Sequence, residues 1–588
     1  MYRKRRSLLG ILPLLPMVVA MAGSPVETVV KVADKVLEDV RFHYNLSVAT
    51  DESYGETQTL DFSRNFSEQG VACALSTIVV EKDTLASLKI GNRGNCKVYL
   101  NGKEIFEKSD MKDDAFRFVE RDVRVGGEIL LPLSKGTNSL LIKSLCPADG
   151  RKWRVYLRPS GLNFTLKGFD KIDESVVNLS KWLMLGTLPE KAFHQGDILG
   201  TDFIPGTLYE GKDGRKVAWM LPRIEVVLTN AEIHQPWGEG YTAFNYHAGG
   251  LAWAMEQLGD YIGQNKYNEY CRMYCDFYID KIPYLAWQKY ELNTFNSYDN
   301  RVVESFLLDF TAAPLLPFTE RLLSSDRQKA KPAYRRLFEQ TKDYVLYRQV
   351  RTPEGNFMRE TPEKYTVWTD DMYMGIPFLV QAARLSENPA ERDKIYDDAV
   401  RQVFAFNSYV YNKKDGLYQH AQYSERKVNQ PYWLRANGWA LWAVTHLLTY
   451  LPETHHQHHR LLQHYRKLVK TLTGYQDASG LWHNVINRKD AYLETSGSAI
   501  FACCIARGVR NGWLPGDEYT TVVLNAWQGI ESMIGAEGEV HNICIGTMCS
   551  DDVNDYLNGT VCTNDTHGLF PVIFAAIEID KLLKEQKK

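Results

Sequence analysis

The chain has 588 residues, 44% of them hydrophobic and 24% charged, which is a globular composition with enough apolar surface for several domains. A net charge of −3 leaves no basic footprint for nucleic acid, and no long single-sign run points to an anionic membrane surface. Ten cysteines are too few and too scattered for a small disulfide scaffold. Cys271, Cys275, Cys503 and Cys504 read as buried thiols, while Cys544, Cys549 and Cys562 are close enough in sequence for a loop disulfide that the sequence does not decide.

Residues 1–24 read as a secretory signal peptide. Arg3, Lys4, Arg5 and Arg6 precede an apolar stretch from Leu8 to Ala22, which ends at the small residues Gly23 and Ser24. That run is too short for a stable membrane span, and nothing later approaches the needed length. The expectation from this segment is an exported protein. Residues 25–228 are expected to form an all-β accessory domain. KVYLNGKEIF (Lys97–Phe106) reads as strand, Asn-Gly turn, strand, and GEILLPL, KGTNSLLIKSL and KWRVYLRP continue the pattern of short strands. Such spacing predicts a β-sandwich. KWLMLGTL (Lys181–Leu188) reads as a further β element or a bridge to the next domain.

Residues 229–588 change texture. HAGGLAWAMEQLGDYIG, KYNEYCRMYCDFYIDKI, YDDAVRQVFAFNSYVY, WALWAVTHLLTYL and SAIFACCIARGVRNGWL carry apolar residues at helical spacing, separated by Gly-, Pro-, Asn- and Asp-containing loops. About ten to twelve helices in this span, with no repeat of fixed length, predict a closed ring of unequal helical hairpins.

Several stretches in this helical part combine aromatic and polar residues. WTDDMYMGIPFL (Trp368–Leu379) sets Asp370 and Asp371 before an apolar helix, where an Asp is either a cap or a catalyst. DGLYQH ends at His420. YWLRANGWALW contains Trp433, Arg435, Asn437 and Trp439. GLWHNVINRKDAYLETSGSAIF carries Ser496 and Ser498, read as helix caps. His541 and His567 lie in later loops as rim candidates. Aromatic faces beside guanidinium, amide and hydroxyl groups suit an acidic sugar. THHQHH (Thr454–His459) reads as a solvated helix start, because no carboxylate or cysteine cluster in the sequence completes a metal site. No P-loop, dinucleotide fingerprint or serine-nucleophile elbow is present.

In this order WTDDMYMGIPF, DGLYQH, WLRANGW and YLETSGSAIFACCIARGVRNGWL resemble the unsaturated glycuronyl hydrolases, nearest the rhamnogalacturonyl hydrolases of glycoside hydrolase family 105, a relative of family 88. The resemblance covers about residues 230–580 and implies an (α/α)6 barrel after the β-sandwich, with no cofactor or metal. The implied partner is an oligosaccharide bearing a 4,5-unsaturated uronic acid at its non-reducing end, released after water adds across the C4–C5 bond. Asp370 then takes the Trp-x-Asp position of the catalytic aspartate, whose implied role is to protonate C4 and to accept the proton of the water adding at C5; that double role calls for a raised pKa from a dry or like-charged surrounding. Asp309, in LLDFTAAPLLPF, is the second implied catalytic carboxylate. Trp368, Asp371, His420, Trp433, Arg435, Asn437 and Trp439 are the implied substrate-binding set, with Arg435 holding the sugar's carboxylate. Two other readings stay open: a polysaccharide lyase on an α/α toroid, and a glycan-binding protein without chemistry.

Overall fold

The computed structural model describes residues 23–48, 53–54, 57–111, 127–149, 152–160, 181–196, 206–223, 226–230, 240–291, 298–326, 328–361, 365–425 and 427–586. The expected leader falls almost wholly outside them. No helix among the described residues is long and apolar enough to cross a membrane.

The N-terminal region is β-rich and antiparallel. One five-stranded sheet orders β2 (Ser53–Tyr54), β3 (Thr57–Asp61), β10 (Arg154–Ser160), β5 (Thr84–Asn92) and β8 (Gly127–Leu133) as 2-3-10-5-8. The other orders β11 (Leu183–Leu188), β4 (Val71–Val80), β9 (Gly136–Leu145), β6 (Asn95–Leu100) and β7 (Lys103–Lys108) as 11-4-9-6-7. Alternate residues from both sheets, among them Leu88, Ile90, Ile129, Leu131, Val98, Ile142 and Trp153, form one core. The second sheet is buried on its outer face as well, where Cys73, Leu75, Leu141, Leu183 and Leu185 meet Phe193. This is why β4 reads as a near-continuous apolar run. Asn101 and Gly102 take left-handed φ values of 49° and 78°, the turn that joins β6 to β7 and matches the strands' twist.

The remainder is helical, in six antiparallel pairs. The inner members are α2 (Tyr246–Ile262), α4 (Leu316–Leu323), α6 (Asp371–Leu385), α8 (Leu434–Tyr450), α10 (Thr495–Arg510) and α12 (Thr566–Gln586). Each packs on the next, and α12 packs back on α2, so the ring closes. The outer members are α3 (Asn265–Ile279), α5 (Pro332–Asp343), α7 (Pro389–Tyr409), α9 (His458–Thr473) and α11 (Gly516–Glu531), each against its inner partner. Small residues let inner helices approach: a Cβ on Gly497 of α10 would lie 2.4 Å from the Leu434 side chain of α8.

The sixth outer helix corrects the expected β-domain boundary. It is α1 (Pro25–Asp39), which packs on α12 from the other end of the sequence. Val26, Val29, Val32, Ala33 and Val36 recur at helical spacing and are buried in the barrel's core, not in the sandwich. A valine-rich segment has modest helix propensity, and burial against α12 overrides it. The β-region is therefore inserted between the last outer helix and the first inner one. β1 (Tyr44–Val48) and β12 (Val226–Asn230) form the antiparallel ribbon through which the chain leaves and returns. Tyr44 stacks on Phe277 of α3 at 4.2 Å between centroids, and the Gln288 amide exchanges two hydrogen bonds with the backbone of Leu228.

Candidate active site

Each pair reverses direction, so all six inner helices run parallel and their N-terminal ends converge on one mouth of the barrel. The predicted site residues sit there because the motifs precede helix starts.

Asp370 occupies the N-cap position of α6, yet its side chain caps nothing. It is turned instead toward His420, whose Nε2 lies 3.1 Å from Asp370 Oδ2, off the line of a straight hydrogen bond. A two-residue ladder makes this meeting: Val367–Trp368 pairs with Ala421–Gln422, and Thr369 N–H donates to the His420 carbonyl. Behind the ring, Nδ1 is 2.8 Å from the Tyr556 hydroxyl. That oxygen already accepts from Ser550 N–H and Asn429 Nδ2, so its own proton goes to Nδ1 and the ring presents Nε2–H toward Asp370. Trp433 packs on the His420 ring at 4.5 Å and Trp368 meets it edge-on at 5.3 Å.

Asp371 points elsewhere. It forms a two-pronged ion pair with Arg359, 2.9 Å at both contacts, and the same guanidinium reaches Asp309 at 3.0 Å. Arg359 also lies over the Trp368 ring at 4.7 Å. The sequence reading missed it, since it comes from a hairpin that no motif marks; Tyr556 escaped notice for the same reason. Two buried carboxylates thus share one cation. Burial pushes Asp371 up to about 7, and the neighbouring carboxylates Asp309 and Asp370 add to that against the pull of Arg359. Asp309 is raised as well, by burial and then by Asp370. Asp370 goes the other way from the expectation. Burial raises it, but His420, Arg359 and Arg435 outweigh burial and hold it below the ordinary aspartate range. At neutral pH it is the anion.

The WLRANGW residues turn inward. Arg435 is fully buried, its guanidinium giving hydrogen bonds to the Cys544 and Ile545 carbonyls and to Ser496 Oγ, with Trp433 4.6 Å beneath it. Only its Nε lacks a protein partner. The implied carboxylate clamp is thus an anchor for the loop that walls the mouth. Asn437 spends its amide on both backbone groups of Tyr418 and on the Trp433 carbonyl, which fixes the strand leading to His420. Trp439 lies one turn deeper, stacked between Tyr373 at 4.5 Å and Phe570 at 6.1 Å. Glu494, rather than the two serines, caps α10, accepting from Ser496 and Gly497 N–H and also from Cys544 N–H.

Opposite Asp370, Asp565 Oδ1 is 2.6 Å from His567 Nδ1, and His567 Nε2 is 2.5 Å from the Tyr246 hydroxyl. His541 is exposed and bonds Thr563. The histidine run gains the carboxylate the sequence lacked: Asp397 of α7 lies 3.1 Å from His455 Nε2, with His456 close by. Gln457 N–H donates to His455 Nδ1, so Nε2 carries the proton and donates to Asp397, which takes the lone pair a metal would need. All ten cysteines are free thiols.

The family model for Glycosyl Hydrolase Family 88 matches residues 224–583. The chain belongs to this family. Among curated relatives it is similar to the unsaturated rhamnogalacturonyl hydrolase YesR of Bacillus subtilis, 27% identical over 223 residues, which are 36% of this chain and 61% of that protein. It is also similar to the unsaturated 3S-rhamnoglycuronyl hydrolase of Alteromonas sp. strain LOR, 26% identical over 180 residues, 30% of this chain and 43% of that one. The matched stretches therefore span about two fifths to three fifths of these relatives. A solved structure of a possible family 105 member from Salmonella enterica aligns at 21% identity and TM-score 0.49, covering 59% of this chain and 87% of its own.

Proposed function

We propose that the protein removes a terminal 4,5-unsaturated uronic acid from lyase-generated oligosaccharides by hydrating the C4–C5 double bond. Asp370 gives the proton to C4. Water adds at C5 and passes its surplus proton to the Asp370 carboxylate, and the hemiketal so formed opens and lets the aglycone go. This differs from glycoside hydrolysis by two carboxylates flanking the scissile bond. The observation that supports this most is the orientation of the two adjacent aspartates. Asp371 is engaged by Arg359, whereas Asp370 faces the mouth beside the Tyr556–His420 pair. Asp370 is held anionic by His420, Arg359 and Arg435, so arrival of the sugar's own carboxylate in a dry site is what lifts it into the range of an acid. The basic, apolar leader supports export to the periplasm as the place of action.

The substrate absorbs ultraviolet light through its conjugated enol-ether carboxylate, which hydration destroys. Wild type should bleach lyase-generated oligosaccharides and Asp370→Asn should not. An active, folded Asp370→Asn would move the role to Asp371 or Asp309. A rise in absorbance on intact polysaccharide would make the protein a lyase. No change on pectic, glycosaminoglycan or arabinogalactan-derived products would favour glycan binding without chemistry.

A further inference from the structure

A neutral imidazole carries one N–H and one bare nitrogen, and a buried one needs a partner for each. His446, one turn from the C-terminal end of α8, is buried. Among the described residues no donor or acceptor meets either of its ring nitrogens. We propose that the end of the barrel away from the mouth is a built water site, in which an ordered water donates to the bare nitrogen of His446. The site is separate from the chemistry: Arg435, at the mouth end of the same helix, is about 16 Å away along its axis.

Side chains from four inner helices close a circuit of contacts at this end. Trp253 of α2 meets the His446 ring edge-on at 5.5 Å and donates its Nε1–H to Glu320 Oε2 of α4 at 3.2 Å. On the other side His446 meets Tyr450 edge-on at 5.1 Å. Arg384 of α6 lies over the Tyr450 ring at 3.9 Å and donates to Gln381 Oε1 at 2.6 Å. Gln381 Nε2 donates to Glu320 Oε2 at 3.1 Å, which returns the circuit to its start. Trp253, Gln381 and His446 are buried, whereas Arg384 and Tyr450 are part-exposed, so solvent reaches the circuit from their side.

Other ways of satisfying His446 fail on chemistry. Protonation would turn the bare nitrogen into a second N–H, but burial and the charges of Arg507 and Arg384 hold the imidazole well below its ordinary value. Arg507 acts from α10, with Glu578 of α12 as its own partner at 3.0 Å, and Glu320 is the carboxylate on the α4 side. The edge-on contacts let the N–H point into a ring face, which is a weak hydrogen bond. A ring face has nothing to donate, so the bare nitrogen stays unmet. A metal ion would meet that nitrogen but would stand near two guanidinium groups.

A water molecule is neutral, small, and both donor and acceptor. Buried waters typically make about three hydrogen bonds to polar groups that would otherwise go unmet. The circuit supplies the partners beyond His446. Arg384 has four N–H groups besides the one given to Gln381. Glu320 Oε1 accepts from Gln257 at 2.9 Å and has a second lone pair. A water donating to His446 and accepting from Arg384 ties α8 to α6 at the end of the barrel where no loop of the mouth reaches.

The test uses the full chain in two measurements: a crystal structure that orders interior water, and water-deuteron magnetic relaxation dispersion, which counts long-lived internal waters in solution. The expected result is a water oxygen within about 3.2 Å of one His446 nitrogen, bonded also to Arg384 or Glu320. His446→Leu removes both nitrogens and should lose that water, lowering the dispersion count by about one. His446→Gln keeps a donor and an acceptor and should retain it. In both variants kcat on an unsaturated disaccharide should stay within about twofold of wild type, since neither touches a group that meets the substrate. Wild type with no water at either nitrogen, or with an ion there instead, overturns the proposal. So does an unchanged dispersion count in His446→Leu. Should His446→Leu not fold, the wild-type crystal and His446→Gln decide the question alone.

Discussion

Asp371→Asn separates the two adjacent carboxylates by stability as well as by activity. Asp371 shares Arg359 with Asp309 out of contact with water, and its pKa rises to about 7. An unfolded aspartate titrates near 4, so the rise is worth on the order of 4 kcal/mol at about 1.4 kcal/mol per unit. The folded value lies above the unfolded one. The folded state therefore holds the extra proton between these pH values, and the stabilisation is complete below about pH 4 and lost as pH rises through about 7. Asparagine keeps the shape and cannot titrate. The unfolding free energy of wild type minus that of the variant should thus fall by about 3–4 kcal/mol from pH 4 to pH 8. Taking the difference removes other groups such as His464, which burial pushes down to about 4 and whose contribution runs the opposite way. Urea unfolding followed by tryptophan fluorescence supplies the curve. A flat difference refutes the shared-cation argument. In the same samples kcat should stay within about tenfold of wild type, since only acid–base groups that meet the substrate carry larger factors. A folded but inactive Asp371→Asn beside an active Asp370→Asn would exchange the two roles.

Tyr556→Phe leaves Ser550 N–H and the buried Asn429 amide without their acceptor and unties His420 Nδ1. It should cost about 2–4 kcal/mol by denaturation and lower kcat more than it raises KM; an unchanged kcat would detach Tyr556 from the chemistry. Deleting residues 23–40 strips α12 of its outer partner and exposes the face that buries Val29, Val32, Ala33 and Val36. The prediction is aggregation, with no separately folded barrel detectable by size exclusion; a soluble, active truncation would show that α1 is dispensable to ring closure.

How far the sequence carries depends on what kind of signal a residue leaves. Asp370, His420 and Trp433 were legible from ordered motifs, and the fold brings them together. The same motifs marked Arg435, Asn437 and Trp439, but a motif gives a position on a helix and not the direction of a side chain. All three are buried, and two are spent on loop backbone. Arg359 and Tyr556 were illegible because their meaning comes from contact alone; His420 and Tyr556 are 136 residues apart. The first helix left a clear apolar period, which its valines and its place before a run of strands obscured.

Charge bookkeeping at the mouth carries one step further. Arg359 is committed to Asp371 and Asp309, and Arg435 to loop carbonyls and Ser496, so neither offers a free fork to a uronate. What the mouth offers an anion is the set of converging inner-helix N-terminal ends, each carrying roughly half a positive charge. Against that stand Asp309, Asp370 and Asp371, two of them already raised. A sugar carboxylate arriving beside them raises all three further by like-charge repulsion. Binding must then draw in a proton wherever a carboxylate is ionised beforehand, above about pH 7 for Asp371. Calorimetric titration of Asp370→Asn with an unsaturated disaccharide, in two buffers of different ionisation enthalpy, measures that proton directly. The heats should diverge between buffers at pH 8, corresponding to uptake of up to about one proton, and converge at pH 5, with affinity weakening as pH rises. Buffer-independent heats and a constant affinity across this range would mean that the helix ends absorb the incoming charge without help from the carboxylates, and that the shared-cation triad is uncoupled from the substrate.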